Sequence, residues 1–376
     1  MKDLSETRKE IDLIDDEIVR LYEQRIALTT EVAEYKIATG KPVFDREREA
    51  SKLEILSGKA SSEFTAEGIK ELFEQLMTMS RKKQYQLLTE YGLRADTGFR
   101  PIPRMENPYA RIVYQGVEGA YSQQATLEYF GRDCNCRPVK TWKDAMEAIR
   151  KGEADFAVLP IQNSSAGIVP ENYDLLVEYD NYIIGDQIIP VDHTLLGLPG
   201  AELSDISYVY SHPQALMQCG QYLYEHSDWS KISMKNTAMA AKKVKEDGDI
   251  HQAAIASAIT ADLYGLKVLD SGIQDIKDNS TRFIIVCGQR GYYEDSKHIS
   301  LCFEIAHRSG SLYHTLSHFI YNGLNMINIQ SRPIKGRNWE YRFFVDLEGR
   351  LDDTAVHNAL RGLGEETASL RVLGTY

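Results

Sequence analysis

Residues 11–36 read IDLIDDEIVRLYEQRIALTTEVAEYK. Ile11, Ile14, Ile18 and Leu21 recur at steps of three and four, and Leu28, Val32 and Tyr35 resume the same stripe. One face of a single very long helix is therefore apolar. The place that this stripe reserves for another apolar residue, four after Leu21 and three before Leu28, is held by Arg25. Lys36 follows eleven residues later, about three turns on, and points the same way. A cation on a buried face is costly unless it meets an anion.

The neighbouring sequence repeats the pattern. Residues 5–90 contain a single proline, Pro42, and predict three helices. The first runs past 30 residues and breaks after Gly40; the second covers about 45–56 and the third about 65–88. In the third, Ile69, Phe73 and Leu76 set an apolar face that Ser80 and Gln84 continue at steps of four. The second opens with Asp45, Arg48 and Glu49. Three helices of these lengths cannot bury so long a stripe among themselves, so a partner chain is expected. The polar seam has two readings: an internal ion pair that fixes register, or a polyanionic small molecule held inside a helical bundle.

Composition then changes. RADTGFRPIPRMENPYA (94–110) holds three prolines and no helical stripe, and reads as a linker. From Arg111 short apolar strands alternate with helices, the mark of an α/β domain ending near residue 290. Polar loops follow its strands, where such domains collect ligands: GVEGAYS (116–122), NSSAGIV (163–169) and YSHPQ (210–214), while in KDNSTRFIIVCG (277–288) a polar stretch runs directly into a strand. GVEGAYS opens a helix whose backbone N–H groups suit a carboxylate or phosphate. It is not G-x-G-x-x-G, and no acidic residue follows suitably on a second strand, so a dinucleotide site is rejected. The last 80 residues read strand, helix, strand, strand, helix, strand, the ferredoxin-like plan.

The totals exclude other classes. The chain has 376 residues, 43% apolar and 26% charged, with 43 Lys plus Arg against 55 Asp plus Glu for a net charge of −12. That balance gives no whole-chain field for nucleic acid. No apolar run is long enough to span a membrane, and the N-terminal stretch has no secretory-signal pattern. Five scattered cysteines offer only C-x-C at 134 and 136, without a partner pair at zinc spacing. Reduced thiols in a cytoplasmic protein, with no metal and no cofactor, are expected.

Arg8, Arg25, Lys36, Asp45, Arg48, Glu49, Ser80 and Gln84 together resemble the all-helical chorismate mutases. That resemblance implies an intertwined dimer in which Arg8 comes from the partner chain. It also implies that Arg25 and Arg48 grip substrate carboxylates, Lys36 and Gln84 face the ether oxygen, and Glu49 takes the ring hydroxyl. The motifs G-x-x-G-x-Y-S, P-I-x-N-S-x-x-G, S-H-P-Q and T-R-F resemble prephenate dehydratase. They imply a two-lobed α/β domain with Thr281 as the residue most tied to catalysis and Arg282 on a carboxylate. Tyr121, Ser122, Asn163, Ser164, Ser211 and His212 complete the implied substrate site. Gln162 stands where that family usually has Glu, which implies that the position is not charged for catalysis. The C-terminal unit resembles an ACT regulatory domain, which implies phenylalanine near Gly310, Ser311 and Leu312 and near Gln330, Ser331, Arg332 and Pro333. Ser311 and Gln330 depart mildly from the family's Ala and Glu.

The whole is similar to the bifunctional chorismate mutase–prephenate dehydratases. The expected organisation is multidomain: an all-α helical bundle in an intertwined dimer (1–92), a linker (93–110), an α/β two-lobed dehydratase domain (111–290) and an α+β ferredoxin-like ACT domain (297–376). The expected partners are chorismate and prephenate as substrates, phenylalanine as effector, and further copies of the chain as a homodimer or larger. Two alternatives stay open at this stage. The dehydratase domain prefers arogenate, or it is a binding module built on a solute-binding cleft.

Overall fold

The computed structural model describes residues 3–104, 109–307 and 310–376. Residues 105–108 of the expected linker lie outside the described residues. The chain forms two compact units: Met1–Gly98 with Lys297–Val372, and Phe99–Ser296 with Leu373–Tyr376.

In the first unit three helices span Leu4–Thr39, Arg46–Ser57 and Glu63–Glu90. Gly40 ends the first with a left-handed φ of 67°. Asp45 caps the second, its carboxylate accepting the Arg48 backbone N–H at 3.1 Å. Ser62 and Thr65 form a reciprocal capping box on the third. Only Thr29 and Ala33 of the long first helix are buried. Its apolar stripe stays open, with Ile14 60%, Leu28 59% and Tyr35 58% exposed.

The unit's other part runs His298–Glu304, Ser311–Tyr321, Met326–Pro333, Tyr341–Glu348, Thr354–Glu366 and Ser369–Thr375, as strand, helix, strand, strand, helix, strand. In the sheet, Met326–Pro333 is the outer strand beside Tyr341–Glu348, which pairs antiparallel with His298–Glu304. The third helix of the N-terminal part packs against the helix Thr354–Glu366.

The second unit has two sheets. One orders Tyr182–Pro190, Ser280–Cys287, Phe156–Asn163, Ile112–Gln115 and Cys136–Val139 over a core that includes Ile112, Tyr114, Val158, Phe283 and Ile285. The other orders Lys267–Ser271, Thr194–Gly197, Gln252–Ala256, Tyr208–Ser211 and Ser230–Ser233. It buries Leu195, Val209 and Ile255 in one cluster and Leu196, Tyr210 and Ala254 in another, as alternation along each strand requires. The chain passes between these lobes at Val191–His193 and again at Gly272–Asn279. The expected linker also contains a short strand, Arg100–Pro101, parallel to Gly291–Tyr292. No described helix is long and apolar enough to cross a membrane.

Candidate functional sites

In the helical part, Arg25, Ser80 and Gln84 are joined by hydrogen bonds, and Lys36 lies further along the first helix. Arg25 is half-buried; its guanidinium donates to the Leu76 carbonyl at 2.7 Å and to the Ser80 hydroxyl. Burial presses the Arg25 pKa down against the opposing charges of Glu49 and Tyr22. Lys36 donates to the Val43 carbonyl at 2.6 Å. Its pKa is also lowered, burial outweighing Glu365, Asp45 and Glu49. Gln84 is 6% exposed; its amide donates to the Ser80 carbonyl at 3.3 Å, and its buried Oε1 has no partner among the described residues. Both cations are partly desolvated, and among the described residues no carboxylate is bonded to either, an arrangement that suits an anionic ligand.

Asp45 and Lys36 line one cavity of about 430 Å³ together with Lys41, Phe44 and Glu365. Arg48 is exposed, while Glu49 is half-buried and bonded by Arg81. Arg8 is exposed and lies seventeen residues before Arg25 on one continuous helix, about 25 Å away along its axis at 1.5 Å per residue. It cannot reach the Arg25 site of its own chain.

The second unit holds a cleft of about 380 Å³ lined by groups from both sheets and from the crossing segments. Thr281 and Phe283 enter from one strand, Asn163 from its neighbour, and Tyr121 and Ser122 from the first turn of the helix Tyr121–Phe130. His212, Gln218, Lys235 and Thr237 face them from the other lobe. The GVEG turn that presents Tyr121 needs its second glycine. Gly119 has φ 85°, and a Cβ there would meet Thr260 at 2.5 Å.

The orientation of the Asn163 amide beside Thr281 is fixed by its neighbours. Asn163 Oδ1 accepts the backbone N–H groups of Ser165 (3.1 Å) and Ala166 (2.8 Å), so its amide nitrogen points the other way. That nitrogen donates toward Thr281 Oγ1 at 2.9 Å, Asn279 Oδ1 at 2.9 Å and the Ser280 carbonyl at 3.1 Å, three acceptors that share its two hydrogens. Thr281 Oγ1 is thereby an acceptor from Asn163, and its own hydrogen is left to donate elsewhere. His212 is similarly specified: Nδ1 accepts the Gln214 N–H at 3.2 Å, and burial lowers its pKa, which leaves a neutral ring with Nε2–H as the remaining donor.

Not every predicted residue belongs to the cleft. Ser211 is fully buried and donates to the Ile255 carbonyl at 2.6 Å. Ser164 ties two loops together, accepting the Ser280 N–H at 2.9 Å. Arg282 needs correction. Strand alternation turns it to the face opposite Thr281, where its Nε bonds Asp186 at 2.9 Å and its guanidinium lies 4.2 Å from the Tyr376 ring centre. It does not line the cleft. Gln162, its register partner, is not among the lining residues either, in keeping with a position that carries no charge in the chemistry.

Several cleft residues escaped the sequence reading. His193 is 2% exposed and bonds Gln218 Oε1 at 2.9 Å through Nε2, with Tyr121 3.3 Å from Nδ1. Lys235 and Asn236 stand where the helix Thr237–Asp247 begins, Asn236 accepting the Met239 N–H at 2.7 Å. The N-cap pattern N-T-A-M before an apolar run was the available signal for that turn.

In the C-terminal part, Gly310, Ser311 and Leu312 line a cavity of about 350 Å³ with His307, Tyr341 and Phe343. Gln330, Ser331, Arg332 and Pro333 lie on the outer strand and do not line it.

The chain thus combines a helical part, whose half-buried Arg25 and Lys36 have no carboxylate bonded to them among the described residues, with a two-lobed α/β unit that holds a polar cleft. The chorismate mutase type II family matches residues 7–85 and the prephenate dehydratase family residues 112–290. The bifunctional chorismate mutase/prephenate dehydratase of Aquifex aeolicus is 32% identical over 100% of this chain and 98% of its own length. That of Escherichia coli K12 is 31% identical over 98% and 95%. The solved structure of prephenate dehydratase from Arthrobacter aurescens in complex with L-Phe superposes with a TM-score of 0.66 at 31% identity, covering 71% of this chain and 89% of that one. The chain belongs to the bifunctional chorismate mutase/prephenate dehydratase family.

Proposed function

We propose that the chain rearranges chorismate to prephenate in its helical part and converts prephenate to phenylpyruvate in its two-lobed cleft, under feedback by phenylalanine. The rearrangement is pericyclic and needs no acid, base or covalent step. It needs a dianion held in a compact conformer, and donors for the negative charge that develops on the breaking ether bond. Arg25 and Arg48 supply the first, with Arg8 from a second copy. Lys36 and Gln84 supply the second. The exposed stripe of the first helix supports that second copy, and an intertwined pair would bury it.

In the cleft, the ring carboxylate leaves as carbon dioxide, its bond electrons enter the ring, and the ring hydroxyl departs as aromaticity is gained. Hydroxide leaves poorly, so a donor at that oxygen lowers the barrier. The observation that carries this reading is the Asn163 amide donating toward Thr281 Oγ1, which leaves the threonine hydrogen available to a ligand. Lys235 and the N-termini of the helices Tyr121–Phe130 and Thr237–Asp247 complement the substrate's carboxylates.

We read residues 297–376 as an ACT module. Phenylalanine occupies the Gly310–Leu312 cavity, and the Gln330–Pro333 segment, on an outer strand open to pairing, comes from the second copy. The direct test supplies chorismate to the purified protein and follows chorismate loss and phenylpyruvate, with and without phenylalanine. Phenylpyruvate that appears and falls with phenylalanine supports the reading; prephenate that accumulates without phenylpyruvate overturns its dehydratase half.

Two further outcomes are expected. Gly310 sits at φ 78°, and a Cβ there would come 3.2 Å from His314 Nε2. Gly310→Ala therefore raises the phenylalanine concentration for half-inhibition by about tenfold or more, each variant being compared with its own uninhibited rate. Lys36 must be charged to serve the ether oxygen, and its pKa lies below the ordinary lysine value. Mutase kcat/KM therefore falls as pH rises through a midpoint below 10.5, and Lys36→Arg moves that limb to higher pH.

A further inference from the structure

Arg81 follows Ser80 on the third helix and is only 6% exposed. A guanidinium so buried has to be matched, and it is. It bonds Glu49 on one side and Glu366 at 2.7 Å on the other, with Thr78 Oγ1 at 3.0 Å and the Phe44 ring centre 4.5 Å away. Glu366 ends the helix Thr354–Glu366, and the fully buried His318 Nε2 lies 3.1 Å from its other oxygen. Burial pushes the Glu366 carboxyl up, but His318 and Arg81 outweigh it and hold it down at about 2. Its neighbour Glu365 accepts the Phe44 N–H at 2.8 Å and the Tyr85 hydroxyl at 3.1 Å. The turn before Arg48 and Glu49 is thus held directly by Glu365, 321 residues from Phe44 in sequence, and Glu49 is reached from Glu366 through Arg81.

Arg81 touches none of the groups assigned to the substrate except Glu49, and it takes only one Glu49 oxygen, Oε2. The other oxygen has no partner among the described residues and is left for a ligand. Were Arg81 balanced by Glu49 alone, the full buried charge would draw that carboxylate in and turn both oxygens inward. Sharing the cation with Glu366 removes that demand.

We propose that Arg81, anchored by Glu366, is the positioning residue for Glu49, so that the C-terminal module completes the mutase site. The proposal rests on the reading of Glu49 as the acceptor for the ring hydroxyl. Full-length Glu366→Gln, Glu49→Gln and the double variant are assayed on chorismate, each normalised to its dehydratase rate on prephenate as a measure of folded protein. Glu366→Gln is expected to lower normalised mutase kcat/KM about tenfold, divided between kcat and KM in the same proportion as for Glu49→Gln. It is expected to add almost nothing in the Glu49→Gln background, because the two act through one group.

Losses that multiply in the double variant would mean that Glu366 acts on the fold and not through Glu49, and would overturn the proposal. A Glu366→Gln protein with parent kinetics, beside an impaired Glu49→Gln, also overturns it while leaving the mutase site as read. An unimpaired Glu49→Gln removes that reading of Glu49, and the proposal with it.

Discussion

Thr281→Ala lowers phenylpyruvate formation from prephenate by about 10²- to 10⁴-fold, the range that one positioned proton donor contributes. The mutase rate of the same sample is the internal reference, so chorismate is still consumed and prephenate accumulates. The size of the effect follows from the donor geometry. Asn163 approaches Thr281 Oγ1 at 2.9 Å as a donor, and a hydroxyl that accepts there has its hydrogen free for the leaving oxygen. Alanine lacks the hydroxyl and so removes the donor, while the Asn163 amide keeps Asn279 Oδ1 and the Ser280 carbonyl as acceptors for its two hydrogens. Thr281→Ser keeps the donor and is expected to stay within about tenfold of the parent, with a loss from the freer serine rotamer. A Thr281→Ala protein that dehydrates prephenate at the parent rate would remove the hydroxyl from the mechanism.

What could be read from sequence tracks how each residue meets its surroundings. Helix boundaries near Gly40 and Asp45 were legible because caps are local chemistry, whereas the third helix begins at Glu63 behind the Ser62 cap, two residues before the expected start. The strands Phe156–Asn163 and Ser280–Cys287 announced themselves as apolar runs beside polar loops. Cys136–Val139 and Ser230–Ser233 did not, because they sit at sheet edges with few apolar residues to alternate. Burial of charge was the hardest feature. Arg81 and Lys82, in the run SRKK, look like a solvated helix face, yet each is only 6% exposed. The covering helix lies at the far end of the chain, beyond any window of periodicity. Arg282 shows the opposite failure: adjacency to Thr281 suggested a shared role, and the period of two in a strand placed the two on opposite faces.

Arg25→Ala lowers mutase kcat/KM by about 10²- to 10³-fold, and its effect on stability has the opposite tendency. Two charge-assisted bonds to a carboxylate, each contributing about 1.5–3 kcal/mol, account for a loss of that order. Stability should behave differently, because the cation is an expense to the unliganded fold. Burial lowers its pKa, and its bonds go to the Leu76 carbonyl and the Ser80 hydroxyl, with no carboxylate bonded to it among the described residues. Removing it relieves desolvation and forfeits two neutral-acceptor bonds, so the melting temperature of Arg25→Ala stays close to the parent's or rises. Mutase and dehydratase rates measured beside a thermal melt separate the two readings of a polar seam. A register-fixing or structural arginine would show a lowered melting temperature and a mutase that falls only with the folded fraction. A substrate clamp shows a lost mutase in a protein that melts no earlier and still dehydrates prephenate, and it is this second outcome that a half-buried guanidinium bonded only to neutral acceptors among the described residues predicts.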